Sequence, residues 1–109
     1  MKTEELIKFI DIEDRRLKEE FRNCDDKEKE ILARAVKLNE EVGELCNEVL
    51  TYCSLQREDK RNNIKEDALS NEFADVIITA LLLAKSTNTE ILKALENKIE
   101  KINQRYKKV

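Results

Sequence analysis

The chain has no proline, no histidine, no tryptophan and a single glycine, Gly43. Without proline, and with one glycine, almost nothing in it interrupts a helix. Without histidine, it cannot build the Glu-x-x-His di-iron site of many helical bundles, and no imidazole is present to activate a cysteine. Long apolar runs are missing too. The longest, from Val76 to Ala84, is too short to cross a bilayer. The amino-terminal MKTEELIKF carries acids where a signal peptide would have its apolar segment. A basic excess is also lacking. A net charge of −3 and a pI near 5.2 argue against binding a DNA or RNA backbone, which calls for a basic face. The cysteines, Cys24, Cys46 and Cys53, are odd in number. Cys46 and Cys53 lie seven apart on one expected helix, too distant to bridge. All three read as reduced thiols, mostly packing residues, in a cytoplasmic protein.

What is present is charge and aliphatic surface in nearly equal measure. Charged residues make up 41% and hydrophobic residues 40%, enough apolar content to exclude disorder and to point to long amphipathic helices. A chain of 109 residues is one domain with a thin core. Shared burial with a second chain is therefore expected.

The periodicity predicts an all-α four-helix bundle with helices over about 3–22, 26–57, 64–86 and 89–107. In the first, Leu6, Phe9, Ile10, Leu17 and Phe21 recur at helical spacing. Asp25 or Asp26 is placed to cap the second. The second helix repeats Ile31, Ala35, Leu38, Val42, Leu45, Val49 and Tyr52 in steps of four and three, a heptad seam. Asn63 with Glu66, and Thr87 with Glu90, have capping-box spacing for the third and fourth. Leu69, Phe73, Val76, Ile77, Ala80, Leu83 and Ala84 form the expected core face of the third, and VIITALLLA is apolar nearly all round. Ile91, Leu92, Leu95, Ile99 and Ile102 turn inward on the fourth.

Acids interrupt this pattern in two places. The stretch NEEVGEL holds Glu40, Glu41 and Glu44; the stretch EFADV holds Glu72 and Asp75. With Leu38 at zero on a helical wheel, Glu41 falls at about −60°, Glu48 at about −80°, Glu44 at about −120° and Glu40 at about −160°. Glu41 and Glu48 thus edge the core stripe, Glu44 lies just outside and Glu40 further out. Glu72 and Asp75 immediately precede the core residues Phe73 and Val76, on the matching flank of their own seam. Glu41, Glu44, Glu72 and Asp75 brought together at the edge of a dry core do not all stay ionised unaided. A basic side chain, a divalent cation or raised pKa values must intervene. Oxygen-only donors favour a hard ion, Mg2+ or Mn2+ as its substitute. A glycine inside the acid cluster costs about 1 kcal/mol relative to alanine, so Gly43 predicts close approach by a neighbouring helix or a ligand. The competing explanation for all these acids is solvated helix surface, in a chain with 24 of them.

With EEVGEL on one helix and EFADVIITALLLA on the next, the chain resembles the MazG-like branch of the all-α nucleoside triphosphate pyrophosphohydrolases. That family's motif is Glu-Glu-x-x-Glu, a spacer, then Glu-x-x-Asp, met here by Glu40, Glu41, Glu44, Glu72 and Asp75. The likeness spans about residues 35–106 and includes the ending LENKIEKINQRY. It implies a single MazG-like domain over 1–109 that cleaves a nucleoside triphosphate between its α and β phosphates, releasing monophosphate and pyrophosphate. The resemblance further implies that Glu41, Glu44, Glu72 and Asp75 bind Mg2+. Glu40 and Glu41 would be the catalytic residues, with Glu40 either an extra ligand or a proton acceptor for water. Such proteins assemble as homodimers or dimers of dimers. Lys98, Lys101 and Arg105 are candidates for the triphosphate, with Lys60 and Arg61 behind them; Tyr106 is expected to cover the core. The tail departs from the family pattern: Ile102 precedes Asn103, and Lys107 follows Tyr106 where many relatives carry proline. The first helix offers no match for a base pocket, so the base and sugar stay open. The alternative is a catalytically inactive bundle of the same fold that binds nucleotide or protein.

Overall fold

The computed structural model describes residues 1–20, 26–54 and 67–107. Those residues form four helices and no strand: α1 (Thr3–Glu20), α2 (Lys27–Ser54), α3 (Ala68–Ser86) and α4 (Ile91–Gln104). The all-α, four-helix class is as the periodicity predicts. Phe21, Cys24, Lys60, Arg61, Asn63 and Glu66 lie outside the described residues, and with them the first expected capping box.

Asp26 opens α2. Its Oδ1 accepts the backbone N–H of Glu28 at 2.9 Å, satisfying one of the orphan donors of the first turn. Glu28 and Glu30 in that turn complement the helix dipole. The end of α3 differs from expectation. Thr87 does not cap α4; it closes α3. Asn88 adopts a left-handed φ of 54°. The N–H of Thr89 bonds the Ala84 carbonyl at 2.9 Å and that of Asn88 bonds the Lys85 carbonyl at 3.2 Å. These two bonds make a Schellman stop, and asparagine tolerates the left-handed position. The Thr87 hydroxyl bonds back to the Leu83 and Ala84 carbonyls. α4 therefore starts only at Ile91, and Glu90 makes no side-chain cap. It ends at Gln104, followed by a turn over 105–106, so it is shorter than 89–107 at both ends.

α2 packs along α3, and α1 packs against α3 over a shorter stretch. The heptad seam expected on α2 is rotated. Arg34 and Glu41 are buried, at 9% and 7% exposure, whereas Val42 and Val49 are each 39% exposed. Leu38, Leu45 and Glu48 are half-buried, and Tyr52 is exposed. The packed face is thus Ile31, Arg34, Leu38, Glu41, Leu45 and Glu48. On α3, Leu82 and Ser86 are buried while Phe73 and Ile77 are exposed. A nearly all-round apolar helix does not mark its own core face, and the neighbours decide it. On α1, Ile10 is the buried apolar residue, Asp14 is buried beside it and Phe9 is 38% exposed, so Phe9 is not a core aromatic.

α4 has no buried residue and does not pack along α2 or α3. Its apolar stripe of Leu92, Leu95, Ile99 and Ile102 is exposed, as is Tyr106. Tyr106 therefore covers no core in the single chain. The radius of gyration is 17.7 Å, against about 13 Å for a compact chain of this length. The accessible surface is 9196 Å², against roughly 6300 Å² for a compact monomer of this mass.

Candidate metal centre

α2 and α3 run antiparallel. Arg34, early in α2, meets Leu82 and Ser86 late in α3; further along α2, Glu41 meets Glu72 and Asp75. A carboxylate oxygen from each of Glu41, Glu72 and Asp75 lies within 4.8 Å of the other two. Glu41 is buried, Glu72 half-buried and Asp75 exposed, so the cluster opens to solvent on the Asp75 side.

The electrostatics of this arrangement are unfavourable as they stand. Oε2 of Glu41 and Oε2 of Glu72 are buried with no hydrogen-bond partner, which carries a desolvation penalty. Burial pushes the Glu72 carboxyl above its usual range, and the negative charges of Glu44, Asp75 and Glu41 push it the same way. On the other side, Lys37 Nζ lies 3.3 Å from Glu41 Oε1 and 3.5 Å from Glu40 Oε2. Hydrogen bonding to Glu41, then its charge and the Glu40 carboxylate, hold the Lys37 ammonium above its usual pKa. One exposed lysine touching Glu41 from outside does not reach the two orphaned oxygens. Three converging carboxylates with one exposed lysine beside them fit a hard divalent cation.

The sequence-predicted residues fall into three groups. Glu41, Glu72 and Asp75 come together; Glu44 is exposed and is not one of the converging three. Glu40 is exposed and paired with Lys37, outside the cluster. Lys98 and Lys101 are exposed on α4 and Arg105 is exposed in the turn after it, and α4 does not pack along the helices that carry the acids. Gly43 makes no close approach: among the described residues, a Cβ added there meets nothing within 4 Å.

Sequence reasoning missed a buried polar contact next to this site. Nη1 of Arg34 donates to Asp14 Oδ1 at 2.7 Å, to the Leu82 carbonyl at 3.0 Å and to Ser86 Oγ at 3.3 Å. Glu30 Oε1 lies 3.5 Å from the same nitrogen, and Lys18 Nζ lies 3.0 Å from Asp14 Oδ2. Burial alone would raise the Asp14 pKa, but hydrogen bonds and charge from Arg34 and Lys18 outweigh it and hold the carboxyl below its usual range. The available signal was spacing. Arg34 precedes Glu41 by seven and lies four before Leu38, inside the seam rather than outside it.

Residues 28–109 match the family model for the MazG nucleotide pyrophosphohydrolase domain. The chain belongs to this family. No curated protein and no solved structure matches it. The MazG match takes in the whole acid motif on α2 and α3 as well as α4. α1, with Asp14, lies outside the matched residues. Among the described residues, no helix is long and apolar enough to cross a membrane.

Proposed function

We propose that the protein is a Mg2+-dependent nucleoside triphosphate pyrophosphohydrolase, cleaving between the α and β phosphates to give the monophosphate and pyrophosphate. Membership of the MazG family supports the reaction class. The observation that carries the proposal is the convergence of Glu41, Glu72 and Asp75, with two buried carboxylate oxygens left without partners. Glu41, Glu44, Glu72 and Asp75 would hold the metal. When bound, Mg2+ neutralises phosphate charge and lowers the pKa of a coordinated water.

The chain's own residues have separate tasks. Glu41 is fixed by burial and by Lys37, so its carboxylate is pre-oriented toward α3. Asp75, on the exposed rim, faces the side from which a polyphosphate enters. Glu40 lies outside the ligand group, and its remaining role is proton acceptor for the attacking water. Lys98, Lys101 and Arg105 bind the triphosphate.

The functional unit is a homodimer or a dimer of dimers. The exposed apolar stripe on α4 is the surface such an assembly would bury. Assembly also explains how bases on α4 act on a site built from α2 and α3: another subunit supplies them. We place the enzyme in the cytoplasm, in housekeeping of the nucleotide pool, in keeping with the free thiols Cys46 and Cys53.

A panel of ribo-, deoxyribo- and modified nucleoside triphosphates, assayed for pyrophosphate with and without Mg2+, tests the proposal. Release from at least one nucleotide, only with metal, is the expected result. Orthophosphate as the product, or no product from any nucleotide, counts against it.

A further inference from the structure

α2 can offer α3 two overlapping faces. Both include Ile31, Leu38 and Leu45. One is completed by Ala35, Val42 and Val49, the other by Arg34, Glu41 and Glu48. Burial of apolar surface favours the first. The chain uses the second, with Arg34 and Glu41 buried and Val42 and Val49 exposed. The two faces differ by a turn of α2 of about 50°, and only the second directs Glu41 at Glu72 and Asp75.

We propose that Arg34 is a positioning residue: its buried contacts with Asp14, Leu82 and Ser86 select the face of α2 that packs on α3 and thereby assemble the acid cluster two turns further along. The inference rests on reading that cluster as a metal site. Its basis is the geometry of one nitrogen. Arg34 Nη1 is held by α1 through Asp14 at 2.7 Å and by α3 through the Leu82 carbonyl at 3.0 Å and Ser86 Oγ at 3.3 Å. Turning α2 to its apolar face would withdraw the guanidinium from all three and leave the buried Asp14 carboxylate with Lys18 but without its shorter, buried partner. Apolar contacts at Leu38 and Leu45 survive such a turn; these polar ones do not. Fixing register is the best-attested use of a buried polar group in a helical seam. Because a helix is rigid over two turns, the orientation fixed at Arg34 is transmitted to Glu41, about 10 Å along the axis. Asp14 lies on α1, outside the family match, so the anchoring partner belongs to this chain's own first helix.

The test is Mn2+ affinity of the full chain, measured by the electron paramagnetic resonance of free Mn2+, alongside helicity and melting temperature. In Arg34→Met with Asp14→Leu, the buried pair is replaced by apolar side chains, and Glu30 keeps Lys27 as its cation at 3.9 Å. The variant is expected to remain helical while Mn2+ affinity falls at least about tenfold, the scale set by outer-shell supports of metal sites. Affinity within about threefold of the parent, well inside that scale, overturns the assignment. If the double variant does not fold, two single variants decide. Arg34→Lys keeps the buried ion pair and is expected to keep Mn2+ affinity, whereas Arg34→Gln loses it. Equal affinity in these two overturns the assignment as well. Failure of the parent chain to bind Mn2+ is a different result, which removes the metal reading itself.

Discussion

The carboxylates of Glu41 and Glu72, from different helices, approach within 4.8 Å, and each keeps one oxygen buried without a hydrogen-bond partner. Two like charges at a dry seam repel and are poorly solvated. A divalent cation removes both penalties at once. Adding Mg2+ or Mn2+ is therefore expected to raise the melting temperature, because a ligand of the folded state alone stabilises it. Glu72→Gln removes a repelling charge, so its metal-free melting temperature is expected to equal or exceed that of the parent, while the metal-induced rise disappears. Differential scanning fluorimetry across a Mg2+ series reads both.

The Arg34–Asp14 pair gives a pH signature of opposite sign to the acid cluster. The folded-state pKa of Asp14 is lowered, so the unfolded state takes up its proton first. The stabilisation from Asp14 is present above the ordinary carboxylate range and is lost as pH falls through the lowered folded value. In Asp14→Asn that acid-side loss is expected to vanish from the profile of melting temperature against pH. Removing one partner of a buried pair also costs about 3–5 kcal/mol, so the variant should be less stable than the parent throughout the neutral range. An unchanged acid limb in the variant would assign the acid sensitivity to other carboxylates.

Much of the fold was legible because the chain lacks helix breakers and its apolar residues recur at helical spacing. The acid motif was legible because its spacing places Glu41 on the edge of the seam and Glu72 and Asp75 on the matching flank. The rotation of α2 was not. Periodicity weighs apolar residues, and it finds Ala35, Val42 and Val49; it does not weigh Arg34, whose burial depends on Asp14 from another helix. The core face of α3 was obscured because VIITALLLA is apolar on every side. The start of α4 was misplaced because Thr87 and Glu90 have capping-box spacing, yet the left-handed Asn88 between them makes that segment the stop of α3.

Gly43 is the position where sequence spacing and structure disagree most simply. It is exposed on α2, with nothing near a Cβ added there. Gly43→Ala is expected to stabilise the chain by about 1 kcal/mol through helix propensity, raising the melting temperature by about 4–8 °C for a domain of this size. Activity should be retained. A loss of activity in a stabilised variant would show that substrate or another subunit closes on Gly43.

The exposed stripe of α4 predicts self-association. Size-exclusion chromatography with light scattering is expected to find a dimer or tetramer, and the melting temperature should rise with protein concentration. Leu95→Lys with Ile99→Lys, which puts charge into the centre of that stripe, is expected to yield monomers. If the parent chain is monomeric at all concentrations, the exposed apolar surface needs another explanation.

The bases on α4 are separable from the acids by kinetics. Lys101→Ala and Arg105→Ala each remove a charged hydrogen-bond donor, worth about 1.5–3 kcal/mol, and so are expected to lower kcat/KM by about ten- to a hundredfold. Metal affinity should not change. Mn2+ titration beside steady-state kinetics distinguishes this from a loss of the metal site.

The central claim is that carboxylates from α2 and α3 jointly hold the ion on which nucleotide cleavage depends. The most direct measurement is pyrophosphate release from the best nucleotide of the panel, with Mg2+, by the parent chain, Glu72→Gln and Asp75→Asn. The account predicts Mg2+-dependent release by the parent and none by either variant, with both variants folded. Undiminished release by both variants would contradict it.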